Sequence, residues 1–190
     1  MTMPTNPQLV LRLSILAIVL VFFQLVVFSQ VPVFGAIADI SPLVVMAVGL
    51  LCGPVVGASM GFAIGLMIDV ALLQTMGLSS LVLIAVGHWA GRLRELRDPQ
   101  SPLAPLALGA GAAAIYTLGY GIGQFLLGAD APLSWLLVKQ TLATIVLDAL
   151  LAIPVTALVR RWLTPVLPED PRRRRRRAYT TGGLSPLQKA

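Results

Sequence analysis

Long apolar runs separated by short polar or turn-forming breaks fill most of the chain. Residues 9–28 are apolar apart from Arg12, Ser14 and Gln24, which matches the roughly 20 residues that a membrane-spanning helix needs. After a mixed stretch at 29–39, residues 40–52 form a shorter apolar run with Pro42 near its start, where proline is tolerated in a helix. Gly53-Pro54 marks a turn. Residues 55–76 predict the next span, with Asp69 inside it, and Gly77 separates it from the run at 78–91. The first clearly polar loop is 92–105, carrying Arg92, Arg94, Glu95, Arg97, Asp98 and three prolines. Residues 106–127 predict a fifth helix, 128–132 a tight turn around Asp130, and 133–159 a last helix with a kink at Pro154. The pattern predicts an all-α polytopic membrane bundle of about six transmembrane helices. The second and fourth segments are short for a bilayer, so each is expected to be tilted, partly re-entrant, or extended by neighbouring residues.

Composition supports a bilayer as solvent. Hydrophobic residues make up 57% of the 190 and charged residues 12%, against about 25% charged in a soluble domain. Mean hydropathy is +0.86. The net charge of +6 belongs to the C-terminal end: five cations precede Arg160, and nine lie from Arg160 onward. Cytoplasmic loops of membrane proteins carry the excess of Lys and Arg. The 92–97 loop and the C-terminal tail are therefore expected inside, two spans apart, which places both termini in the cytoplasm. The 29–39 stretch and the Asp130 turn then face outward. The first run is too long for a signal-peptide core and lacks a small-residue cleavage site, so it is expected to be retained as a helix.

Two regions follow: a transmembrane helical domain at 1–163 and a basic cytoplasmic tail at 164–190. The tail holds Pro165, Pro168, Pro171 and six consecutive arginines, Arg172, Arg173, Arg174, Arg175, Arg176 and Arg177. It has too little apolar surface to bury and is expected to be disordered. The arginines fit contact with anionic lipids, at about 1 kcal/mol per basic residue near the surface. No aromatics are interleaved among them to stack on bases, so nucleic acid is not an expected partner.

Candidate chemistry is sparse. The single cysteine, Cys52, lies in an apolar stretch and reads as a small hydrophobe. His88 has no second ligand at metal spacing and no catalytic partner. The glycines 119, 121 and 123 lie inside an apolar span rather than after a strand, so they do not form a dinucleotide loop. No catalytic residue, cofactor or metal site is expected. Ionisable residues within the spans mark sites of interest: Asp69, Lys139 and Asp148. Gly57, Gly61 and Gly65 precede Asp69 at four-residue steps, a spacing that keeps small residues on one helix face and lets helices approach closely. Asp69 is therefore expected in a tight helix contact. Thr141 and Thr144 share a face with Asp148, forming a thin polar seam. The two carboxylates are expected at similar depth with no basic residue there, so at least one is expected to be protonated or hydrogen-bonded to a threonine or to a tyrosine such as Tyr116 or Tyr120. Lys139 lies nine residues from Asp148, half a turn out of phase, and is expected to snorkel outward.

The run Gly61-Phe62-x-x-Gly65-x-x-x-Asp69, followed after eight residues by Gly77, resembles the signature of the MreD family of rod shape-determining membrane proteins. That likeness centres on residues 55–95. Chain length, first-helix position and overall hydropathy extend it over about 8–163, while the tail departs from it. The resemblance implies a non-enzymatic scaffold in the bacterial inner membrane. Such a protein binds MreC and works with MreB, RodA and a class B penicillin-binding protein to regulate peptidoglycan synthesis and cell shape. Gly57, Gly61, Phe62, Gly65, Asp69 and Gly77 are then packing and signature residues, and Lys139 and Asp148 are intramembrane polar or partner residues.

The size and hydropathy are also similar to the substrate-binding subunits of energy-coupling-factor vitamin transporters. Such a subunit needs a ligand cavity with convergent polar groups and small-residue docking faces. In the first helix Ala17 stands alone, without the Ala-x-x-x-Ala face this alternative implies.

Overall fold

The computed structural model describes residues 7–28, 38–93, 104–128 and 135–166. Six α-helices follow one another: α1 (Pro7–Phe23, continued by a π-helical turn over Gln24–Phe28), α2 (Ser41–Cys52), α3 (Pro54–Ala71), α4 (Leu78–Leu93), α5 (Ala104–Leu126) and α6 (Trp135–Leu163). No strand occurs among the described residues. Residues 29–37 of the first connecting stretch, residues 94–103 of the basic loop, the Asp130 turn and the arginine tail lie outside them.

Four helical stretches are long and apolar enough to cross a membrane: Pro7–Val26, Pro54–Ala71, Pro105–Leu126 and Val138–Leu163. At 1.5 Å per residue, α4 with its 16 residues spans about 24 Å and α2 with 12 about 18 Å. Both fall short of a hydrocarbon core of roughly 30 Å.

The short α2 occupies the centre. Every residue from Ser41 to Leu50 is buried, as expected of a helix that is apolar on all sides. Helices α3, α4, α5 and α6 all pack against it. Much of the outer surface is apolar, with Ile18, Phe22, Leu118, Ile122, Val146 and Leu150 all exposed. An aqueous surface would not tolerate such a continuous apolar belt; a hydrocarbon solvent does. The chain is thus a helical membrane protein built around a sheltered half-length helix.

Two differences from the sequence expectation stand out. The third helix ends at Ala71, not at Met76. Residues 72–77 turn instead, with Leu73 and Gly77 at positive φ (52° and 92°). The apolar character of Leu72, Leu73 and Met76 hid this break. The last helix begins at Trp135 and runs through Pro154 to Leu163, so the proline lies inside a continuous helix.

The helices alternate in direction. Gly53 alone separates α2 from α3, and α4 returns along α3 until Gly91 meets Pro54. Gly111 near the start of α5 lies beside Trp89 near the end of α4, and Gly109 lies beside Ala152 in the second half of α6. Arg12, near the start of α1, donates from Nη1 to the carbonyl of Trp162 at 2.7 Å and stacks its guanidinium over the Trp162 ring at 5.8 Å. The beginning of α1 and the end of α6 therefore share one end of the bundle. Arg12, Arg92, Arg160 and Arg161 collect at that end.

Candidate functional site

Two polar features are built into the apolar bundle. The first is the α3–α4 hairpin. Gly57, Gly61, Gly65 and Asp69 are buried along one side of α3. A β-carbon at Gly57 would stand 2.6 Å from the Gly87 carbonyl oxygen, well inside van der Waals contact. At Gly61 it would strike the Leu83 carbonyl, and at Gly65 the backbone of Ser79 and Ser80. The α4 residues Gly87 and Gly91 are equally intolerant, meeting Gly57 and Pro54, while Gly49 of α2 packs against Gly87 and Gly91. Glycine on both sides lets backbones touch and gains dispersion contacts that larger residues would prevent. Ser80 adds a hydrogen bond from its hydroxyl to the Phe62 carbonyl at 3.3 Å. The glycine spacing ahead of Asp69 marks only the α3 half of this contact. The matching signal, Gly87 and Gly91 at the same four-residue step, was present in α4.

Asp69 closes the hairpin. Its Oδ2 accepts the Gly77 N–H at 2.8 Å, and its backbone carbonyl accepts the Gln74 N–H at 3.0 Å. Gly77 leads into α4, where the first N–H groups lack helical partners, so the carboxylate ties the end of α3 to the start of α4. The eight-residue spacing is the length of that turn. Phe62, the other signature position, points away from the hairpin and is half-exposed at 51%.

The second feature lies where α2 begins. Asp39, the last residue of the stretch expected to face outward, is tied into the bundle: its N–H donates to Asp148 Oδ1 at 3.0 Å, and its own Oδ1 accepts the Ser41 N–H at 2.9 Å. Gln24, in the π-helical turn, clamps the same segment. Its Nε2 donates to the Ala38 carbonyl at 3.3 Å and its Oε1 accepts the Ile40 N–H at 3.2 Å. The Tyr116 hydroxyl lies beside the Asp39 carboxyl and the Ser79 hydroxyl. Five helices thus contribute to one cluster: Gln24, Ser41, Ser79, Tyr116 and Asp148, with Asp39 at the hub. The positive end of the α2 dipole faces it and stabilises negative charge there.

Asp69 and Asp148 are both fully buried, but each has its own backbone donor, Gly77 for one and Asp39 for the other. Threonine does not supply either bond. Tyr120 bonds to Gln74 at 2.8 Å and receives Gln124 Nε2 at 2.9 Å, bracing the 72–77 turn against α5. Lys139 is exposed on α6 and Asp148 buried, so the structure does not bring these two together. Thr141 and Thr144 are half-buried on the Asp148 face. His88 is exposed and Cys52 half-buried. No group of three His, Cys, Asp or Glu side chains suited to a metal lies among the described residues.

Gln24→Ala removes both clamp bonds and strands the buried Ala38 carbonyl. A loss of about 1–3 kcal/mol is expected, which lowers the unfolding midpoint by roughly 3–10 °C in a thermal melt of the detergent-solubilised protein. An unchanged midpoint would mean that the clamp contributes nothing to stability.

No protein-family model, curated protein or solved structure matches the chain.

Proposed function

We propose that this chain is an MreD-type component of the bacterial cell-elongation machinery, a non-enzymatic scaffold of the inner membrane. The observation that carries this reading is the single unit made by its signature-like residues. Gly61 and Gly65 seat α3 on the backbone of α4, and Asp69 reaches Gly77 across the turn. The spacing on which the resemblance rests therefore has a structural reason in this chain. Outward from the same helix, Val55, Phe62, Leu66 and Val70 form an exposed apolar strip suited to the single membrane helix of an MreC-type partner. In this reading MreB, RodA and a class B penicillin-binding protein belong to the wider assembly. The end that gathers Arg12, Arg92, Arg160 and Arg161 faces the cytoplasm, in keeping with the positive-inside rule. Both termini and the basic tail then lie on that side, against anionic lipid.

The second reading, a substrate-binding subunit of an energy-coupling-factor vitamin transporter, draws on the polar cluster at the start of α2, since such subunits gather polar groups within their helices.

Affinity purification of the tagged protein from its native membrane in mild detergent separates the two. Co-purification of an MreC-type protein, weakened by Phe62→Ala, is the expected result. Recovery of two ATPase subunits with a membrane coupling protein would replace the scaffold reading with the transporter one.

A further inference from the structure

The cluster at the start of α2 holds more oxygen than its own hydrogen bonds use. Asp148 commits Oδ1 to the Asp39 N–H, but its Oδ2 has no partner. The hydroxyls of Ser41 and Ser79 lie against the Asp39 carboxyl and the Tyr116 hydroxyl but make no well-aligned hydrogen bond, and all three side chains are fully buried. Buried oxygens of this kind are rare in folded proteins and call for an explanation. Tyr116 lies between the Asp39 carboxyl and Ser79, and Asp39 acts on Asp148, so these oxygens belong to one neighbourhood. The two carboxylates act on each other, and no Lys, Arg or His among the described residues acts on either.

We propose that this cluster is a binding site for one monovalent alkali cation, held by Asp148 Oδ2, the Asp39 carboxylate and the hydroxyls of Ser41 and Tyr116, with Ser79 supporting Tyr116. Several hard oxygens suit such an ion. A proton shared between the carboxylates would satisfy one acceptor and leave the serine oxygens as they are. A divalent ion asks for more: Ca2+ takes six to eight oxygen ligands, and Mg2+ keeps an octahedral, largely hydrated shell. The charge also favours a single positive ion, because one oxygen of each carboxylate is already engaged by an N–H and the α2 dipole adds about half a positive charge. The site is independent of which complex the chain joins.

The test is thermal unfolding of the full-length protein in nanodiscs of zwitterionic lipid, with NaCl replaced by choline chloride at constant ionic strength. Sodium is expected to raise the midpoint saturably, on the order of 5 °C. Asp148→Asn should abolish that rise, and Ser41→Ala or Tyr116→Phe should shift the half-saturating sodium concentration upward by about tenfold. Equal midpoints in sodium and choline would overturn the proposal. So would a sodium effect that survives Asp148→Asn, or a stabilisation in choline that follows pH alone. If Asp148→Asn does not fold, the milder variants decide, and unchanged half-saturation in both would overturn it.

Discussion

Gly61→Leu is expected to abolish the folded bundle. A β-carbon at position 61 already collides with the Leu83 carbonyl, and the obstacle is helix backbone, which cannot rotate aside as a side chain can. Leucine adds three further carbons to that collision. Overpacking a core ordinarily costs about 1–3 kcal/mol and sometimes more. Here separating α3 from α4 also pulls Gly57 off Gly87 and Gly65 off Ser80, so the loss should exceed the usual range. Against a total stability of about 5–15 kcal/mol, such a loss depletes the native state. Size-exclusion chromatography of a fluorescent fusion in mild detergent would show aggregate in place of a symmetric peak. Gly121→Ala is the matched control, because a β-carbon there meets nothing within 4 Å. Alanine should be neutral or stabilising by up to about 1 kcal/mol through helix propensity. A wild-type profile for Gly61→Leu would mean that the two helices are not held at this separation.

The second large effect is expected at Asp69, and it divides by substitution. Asp69→Ala removes the acceptor for the Gly77 N–H and leaves that donor unpaired in the turn between α3 and α4. About 1–3 kcal/mol is lost, seen as a midpoint roughly 3–10 °C lower. Asp69→Asn keeps an acceptor oxygen at the same place. Among the described residues no cation pairs with Asp69, and its Oδ1 has no hydrogen-bond partner, so the acceptor atom matters more than the charge. Asparagine should stay within about 1 kcal/mol of wild type. If asparagine destabilises as much as alanine in the same melt, the negative charge is what holds the turn.

The six apolar runs were legible along the chain because hydrophobic length reports directly on bilayer solvation. Helix ends were less so. Leu72, Leu73 and Met76 are as apolar as the helix before them, and nothing in their hydropathy shows that Leu73 adopts a positive φ. The bonding of Asp39 was hidden for a related reason: an acidic residue after a polar stretch reads simply as part of a loop. Its partner, Asp148, is 109 residues away, and no local pattern encodes such a pairing. A local clue did exist, since Asp39-x-Ser41-Pro42 is a helix-starting arrangement with an acceptor side chain followed by proline near N1. It places the start of α2 but not the carboxylate opposite. Gln24 carried no periodic signal either. A lone amide in an apolar run reveals its role only when the backbone it clamps is in view.

The position of α2 bears on how the protein is made. Its 12 residues are too few to cross a bilayer alone, and the four helices that bury it, α3 to α6, are all synthesised after it. Hydrophobic partitioning of one segment at a time cannot complete this architecture. While the ribosome is still adding α3 and α4, the beginning of α2 lacks Tyr116 and Asp148, which complete its polar surroundings. The surroundings of α2 are therefore complete only once α6 is in place, which ties the burial of this helix in the membrane to the tertiary folding of the whole bundle.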